Sequence, residues 1–524
     1  MMPLLLLLCV VASAKSQIIN LEPGSVQGFT ITTRSGYDAE VFLNIPYAAP
    51  PIGELRFEKP AATIPWKETR NGTVFGATCH PHARPAAVLP PPDEDCLTLN
   101  IIRPKKEAPS GGYPILLWVH GGGYEIGAAS IYGYQGFANI YIPHDVIVVT
   151  IQYRVGVYGF FSSGDARIPG NLGLFDMAAA VKFVYDNARR FGGDHSRITA
   201  WGLSAGGSAV AQLALSPISR DYIAGSIEMS GSAWASWALG PDVANNSMKL
   251  AWELRCRGND LKKCLKTKTV DEIYKAVDRV VRGQILELMI AAIKALSPYI
   301  HKFGVKPEDF EKWNRNRFIE FLKRVVLERF YEDQFEDAIE DVITRYADRD
   351  EEDGYEFYLD RYTEFISDTF FNVAAVDGIL ARRDAGWNMY AYSFDHYNDA
   401  IWADNVPKRL RGSPHVNEYP YIFEVFALGN YNMDEKERVV AEIIQQSFIS
   451  FAKTGVPKNN HAVWDNVGKG HNLTYLSISP EPKMKKNFYS EAAEFWHEMR
   501  EYGFDLIQLM TTRENYNHHV KDEL

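Results

Sequence analysis

Gly202-Leu203-Ser204-Ala205-Gly206-Gly207 is the stretch that decides the fold of this 524-residue chain. A β-type run, Ile198-Thr199-Ala200-Trp201, leads into it. A small-residue segment that reads as helix, Ser208-Ala209-Val210-Ala211-Gln212-Leu213-Ala214, leads out. Strand, sharp Gly-x-Ser-x-Gly turn and helix form the setting in which such a serine is a nucleophile elbow. The glycines let the turn take strained dihedrals and let the helix approach the strand closely. The turn lifts the Ser204 hydroxyl above the sheet, at a helix N-terminus whose N–H groups favour negative charge.

A second segment points the same way. Tyr113-Pro114-Ile115-Leu116-Leu117-Trp118-Val119 is nearly continuous in apolar residues, as a buried parallel strand must be. It ends in His120-Gly121-Gly122-Gly123-Tyr124, the kind of loop that offers backbone N–H donors to an oxyanion. One such donor is typically worth about 2.7–4 kcal/mol of transition-state stabilisation.

Outward from these motifs the chain alternates strand and helix. A strand is expected from 97 to 102 and another from 146 to 152. A crossover helix is expected from 174 to 190, closed by Phe191-Gly192-Gly193-Asp194, and a strand from 223 to 229. This rhythm predicts an α/β fold: a central, mostly parallel twisted sheet with helices on both faces. Residues 18–60 read as short strands and turns. From about 240 to 375 long charged helices are expected, with solvated faces over a core, and a late strand from 387 to 394.

The ends carry addresses. Met1 to Ala14 is an apolar run closing in Ala12-Ser13-Ala14, the pattern of a cleaved signal peptide. The last four residues, Lys521-Asp522-Glu523-Leu524, form an endoplasmic-reticulum retrieval signal and predict capture by the retrieval receptor. Between them, residues 15–520 are expected to form one catalytic domain, since no linker, repeat or low-complexity tract divides them. No later stretch is long and apolar enough to span a bilayer. The net charge of −11, without a basic cluster, argues against nucleic acid as a partner.

Cys9 leaves with the leader, so four cysteines remain in an oxidising lumen. Of three connectivities, sequence proximity favours Cys79–Cys96 with Cys256–Cys264. Asn71, Asn245 and Asn472 open glycosylation sequons. Nothing in the motifs asks for a metal or cofactor.

Further segments, taken as a set, resemble the type-B carboxylesterases, the cholinesterase-like branch of the α/β-hydrolases, from about residue 20 to 500. They are Pro46-Tyr47-Ala48-Ala49-Pro50-Pro51-Ile52-Gly53-Glu54-Leu55-Arg56-Phe57, Glu94-Asp95-Cys96-Leu97-Thr98-Leu99-Asn100 and Asn171-Leu172-Gly173-Leu174-Phe175-Asp176. The retrieval tail is shared with luminal carboxylesterases and with nematode gut esterases. The resemblance implies an α/β-hydrolase fold and a Ser-acid-His triad. In it Ser204 is the nucleophile and His415, in His415-Val416-Asn417-Glu418-Tyr419-Pro420-Tyr421-Ile422-Phe423, is the base. It further implies an oxyanion hole of the Gly122, Gly123 and Ala205 N–H groups, and a small-molecule ester as substrate.

Two departures from the family pattern stand out. Leu203 takes the place of the usual glutamate in the elbow, which weakens a buried polar support. The family's acid ends a strand in a Gly-x-x-x-x-Glu segment, yet the stretch between Cys264 and Lys306 is short by several tens of residues. Glu287, in Gly283-Gln284-Ile285-Leu286-Glu287, is the expected acid, and Gly304-Val305-Lys306-Pro307-Glu308-Asp309 is its competitor. The family's choline sites use a tryptophan in the loop closed by the first disulfide. Here residues 80–95 hold no Trp, Tyr or Phe, so no cation–π partner comes from that loop. A general carboxylesterase is therefore expected. The alternative is an impaired or non-catalytic binding protein of the same fold.

Overall fold

A computed structural model describes residues 17–82, 90–239, 242–281, 307–327, 335–349 and 353–502. The expected leader, Glu287 and the expected retrieval signal lie outside the described residues.

The main sheet joins β1 (Gln17–Asn20), β2 (Ser25–Thr32), β3 (Asp38–Pro46), β4 (Arg70–Asn71), β5 (Thr98–Pro104), β6 (Tyr113–Val119), β7 (Ile147–Ile151), β8 (Gly193–Leu203) and β9 (Gly225–Met229). Its order is β1-β2-β3-β5-β7-β6-β8-β9, with β4 beside β2. Along that order the pairings from β1 through β7 are antiparallel, whereas β7, β6, β8 and β9 run parallel. Every residue of β6 and β7 is buried, which explains their unbroken apolar runs. In register, Val119 pairs with Ile151 and Gly202, and Leu203 with Met229. The strand ends that carry the two glycine motifs therefore lie side by side.

Both faces are covered. The crossover helix Leu172–Asn187 and the elbow helix Ala205–Leu215 pack Met177, Val181, Val210 and Leu213 onto one face. On the other, Trp118 and Trp201 are sealed by Tyr141, Phe423, Ile444 and Phe448. The charged helices expected after 240 include Arg315–Leu327, Phe335–Tyr346 and Tyr355–Ser367, and they enclose a separate core around Phe318, Tyr346, Phe365 and Trp496.

The late strand is shorter than expected. Only Tyr392–Phe394 (β10) is extended and paired, in a second sheet with β11 (Tyr475–Ile478) and β12 (Lys483–Lys485). Residues 387–391 line a cavity instead, and single backbone bonds, from the Val467 N–H to the Met389 carbonyl and from the Leu476 N–H to the Ala391 carbonyl, do not make a ladder. Cys79 is bonded to Cys96 and Cys256 to Cys264, with Cα–Cα separations of 5.1 and 5.4 Å.

Candidate active site

Ser204 sits between β8 and the elbow helix with φ 60° and ψ −126°. These are the dihedrals of the first central residue of a type II′ turn, a place normally taken by glycine. The surroundings hold it there. The Ser204 N–H donates to the Met229 carbonyl at 2.8 Å, and its own carbonyl accepts from the Ser208 N–H at 2.9 Å. Close packing explains the flanking glycines. A Cβ on Gly202 would lie 2.4 Å from the Gly206 carbonyl carbon, and one on Gly206 would lie 2.1 Å from the Val119 oxygen. Leu203 is fully buried among the apolar residues beneath the sheet.

The glycine loop after β6 lies directly against this turn. A Cβ on Gly121 would meet the Leu203 oxygen at 2.5 Å and the Ser204 Cβ at 3.1 Å. His120 anchors the loop. Its ring stacks on Tyr153 with centroids 4.3 Å apart, and the Tyr153 hydroxyl donates to the His120 carbonyl at 2.7 Å. Burial pushes the His120 pKa down to about 4. The neutral ring then donates from Nδ1 to the Gly121 carbonyl, 2.9 Å away. Among the described hydrogen bonds, none uses the N–H of Gly122, Gly123 or Ala205. These donors are uncommitted, which suits an oxyanion.

His415 is delivered by aromatic packing further along the chain. In the short helix Tyr419–Phe423, the Phe423 ring lies 4.6 Å from Trp118 and 5.3 Å from Trp201. The Tyr419 and Tyr132 hydroxyls pair at 3.1 Å. The loop thus clamps onto the strands that present the two glycine motifs. Val416, beside the histidine, is held at φ 68°, a strained value for a β-branched residue. Asn417 Nδ2 ties the loop to the His396 carbonyl at 2.8 Å. Phe371, in a wide π-type turn over Asp368–Asn372, packs on the His415 ring at 5.1 Å.

Burial lowers the His415 pKa to about 4, and no neighbouring charge offsets it. Its Nε2 is buried without a hydrogen-bond partner. Among the described residues, no hydrogen bond joins the ring to Ser204 Oγ and no carboxylate bonds to it. Glu287 lies outside the described residues. In the competing segment, Asp309 is engaged by Lys312 Nζ at 2.6 Å.

Sequence reasoning passed over several residues around this histidine. Glu418 is buried and lines the same cavity, and burial raises its pKa to about 7. The short His-x-x-Glu spacing was the available signal, and the tight turn over residues 415–418 leaves both side chains lining that cavity. Glu228 and Arg382 form a buried bidentate pair across the same cavity. Residues 154 positions apart offer no local signal. Ser230-Gly231-Ser232 connects these parts: a Cβ on Gly231 would meet the Ser204 oxygen at 2.2 Å, and Ser232 Oγ donates to the Ala374 carbonyl at 2.6 Å.

The sequon asparagines Asn71, Asn245 and Asn472 are all exposed. No helix among the described residues is long and apolar enough to cross a membrane.

A serine elbow and a glycine loop on neighbouring parallel strands, with a histidine loop clamped over them, define an α/β-hydrolase. The chain belongs to the carboxylesterase family, whose pattern matches residues 15–301 and 288–496, and it is a carboxylic ester hydrolase. It is 38% identical to gut esterase 1 of Caenorhabditis briggsae over 553 residues, covering 97% of each chain. Gut esterase 1 of Caenorhabditis elegans is 37% identical, again over 97% of each. Mouse acylcarnitine hydrolase is 30% identical over 91% of this chain and 90% of its own.

Proposed function

We propose that the ester is cleaved through an acyl-enzyme on Ser204. His415 takes the Ser204 hydroxyl proton as Oγ bonds to the substrate carbonyl carbon. The Gly122, Gly123 and Ala205 N–H groups hold the oxyanion. Collapse of the tetrahedral species breaks the ester C–O bond, and His415 returns the proton to the leaving alcohol. Water then repeats the sequence and frees the acid.

The observation that carries this reading is the strained Ser204, φ 60°, packed against a glycine loop whose donors are uncommitted among the described hydrogen bonds. A fluorophosphonate probe should label the wild-type protein, and Ser204→Ala should abolish the label. Labelling that survives the substitution removes Ser204 from the nucleophile's role.

The substrate class is a general carboxylic ester, for the reason of the tryptophan-free Cys79–Cys96 loop. The leader, the sequons and the retrieval tail together support glycosylated residence in the endoplasmic-reticulum lumen. One observation favours a slowed enzyme: the His415 ring bears no carboxylate among the described residues. In serine proteases, replacing the triad acid by its amide costs about 10⁴ in kcat, while the oxyanion hole still contributes. Turnover by this chain should accordingly fall well below that of the gut esterases it resembles.

A further inference from the structure

Two hydroxyls meet between the segment that presents the glycine loop and the segment that presents His415. Tyr132 ends the 3-10 turn Ala129–Tyr132, downstream of Gly121-Gly122-Gly123. Tyr419 opens the short helix Tyr419–Phe423, four residues after His415. Their hydroxyl oxygens lie 3.1 Å apart, and both side chains are buried. The rings meet edge to face at 81°, with centroids 5.4 Å apart.

Each phenol is fixed on its own side. Gly127, just before the turn, packs on the start of the glycine loop: a Cβ there would lie 2.4 Å from His120 Nδ1 and 2.5 Å from the Gly121 oxygen. The Ala129 N–H donates to Gln152 Oε1 at 2.8 Å, and the Tyr132 ring lies 5.2 Å from Trp118. The turn carrying Tyr132 is thus packed onto the glycine loop and its strand. On the other side, the Tyr419 N–H donates to the carbonyl of Val416, the residue after His415, at 3.2 Å. From the 121–141 segment, Asn139 and Tyr141 reach residues 422–424 at the far end of the short helix. Among the described hydrogen bonds, Tyr132 alone reaches its His415 end.

The chemistry of the pair suits a fixed tie. Burial pushes the Tyr132 pKa up to about 12 and that of Tyr419 well above its ordinary value, so both hydroxyls stay neutral at physiological pH. A neutral pair buries no charge, and each oxygen finds a partner in the other. Removing one hydroxyl leaves its mate buried and unsatisfied. The buried side chain of Leu203 has no polar atom and adds no hydrogen bond between the two segments.

We propose that the Tyr132–Tyr419 hydroxyl pair holds the His415 loop in register with the glycine loop, and so aims the histidine at the leaving oxygen of the ester. Neither phenol touches the reacting atoms. Both are positioning residues, and the role rests on the acyl-enzyme reading above. When the tetrahedral species collapses, the ester C–O bond breaks and the His415 proton passes to the departing oxygen. An alkoxide is a strong base and needs that proton as it leaves. A p-nitrophenolate is a far weaker base and leaves without it. A histidine out of register therefore penalises alkyl esters more than activated aryl esters.

The test compares the full chain with Tyr132→Phe, Tyr419→Phe and the double variant on ethyl butyrate and p-nitrophenyl butyrate, which deliver the same acyl group. For both esters kcat/KM reports the steps up to acylation. Each single variant should lower kcat/KM about ten-fold or more for the ethyl ester and less than about three-fold for the aryl ester. The double variant should lose no more than the worse single one, because one bond is lost only once. It also leaves no hydroxyl orphaned, so it carries the test where a single variant folds poorly. Equal losses on the two esters overturn the positioning role, since a smaller folded fraction scales both alike. Losses that multiply in the double variant overturn the pair as a unit, and wild-type kinetics in all three variants overturn the proposal outright. Ser204→Ala is measured alongside. Hydrolysis that survives it overturns the nucleophile assignment, whereas the ratio between the two esters in the phenylalanine variants judges the phenols alone.

Discussion

Replacing Ser204 by glycine should make the protein more stable than replacing it by alanine. Both changes remove the hydroxyl, so their difference isolates the Cβ. At φ 60° and ψ −126° a Cβ collides with the backbone, and residues held in such regions carry about 1–3 kcal/mol of strain. Glycine relieves that strain but gives back about 0.5–1 kcal/mol through the greater entropy of its unfolded chain. Ser204 is only 6% exposed, so the alanine methyl is buried and its loss in glycine forfeits about 0.8 kcal/mol more. The net expectation is about 0.5 kcal/mol in favour of Ser204→Gly, roughly a two-fold shift in the folding equilibrium. Urea unfolding followed by tryptophan fluorescence, disulfides intact, reads the difference directly. Trp118 and Trp201 are fully buried in the sheet core and report on the region. If Ser204→Gly is equally or less stable than Ser204→Ala, the turn stores no strain at Ser204 and the reading of its dihedrals is wrong.

Three further outcomes are expected. Gly206→Ala drives a methyl to within 2.1 Å of the Val119 carbonyl oxygen, a backbone atom that cannot step aside; it should destabilise by about 3 kcal/mol and abolish probe labelling, and wild-type stability in urea would refute the close-packing argument. Protonation of His120 is held down to about 4 by burial, against an ordinary value of 6.5; the unfolded chain therefore takes up a proton that the folded one refuses, and stability is lost as pH falls from 6.5 to 4 but not above. The loss approaches about 3 kcal/mol, so His120→Asn should flatten the acid limb of a stability profile by that amount, and identical limbs would overturn the assignment. Deleting Lys521 to Leu524 should release the protein into the medium, whereas unchanged retention would mean a different anchor.

Much of the fold was legible because its signals are local. An unbroken apolar run such as Tyr113–Val119 has few fates other than a strand covered on both faces. Gly202, Ser204 and Gly206 encode a turn within five residues, and the turn's physics demands small residues there. The crossover helix shows its period in its own sequence, and its observed start at Leu172 differs from the expected one only at the fraying end. The late strand failed for the opposite reason. Residues 387–391, apolar apart from Asn388, carry strand propensity, but a ladder needs a strand in register, and among the described residues β11 supplies one only from Tyr392 onward.

By itself, then, the sequence determined the serine turn, the glycine loop, the parallel alternation around them and the cysteines near enough to pair. Each depends on residues close to one another along the chain. Tertiary structure alone decided that Phe423 wedges the histidine loop against Trp118 and Trp201, and that Glu228 meets Arg382 in the interior. It alone decided that residues of β9 and β10 line one cavity with His415. Those contacts join segments far apart in the chain, 154 positions in the case of Glu228 and Arg382. Their energy comes from burying rings and pairing desolvated charges, and no local periodicity encodes which distant surface will be there to receive them.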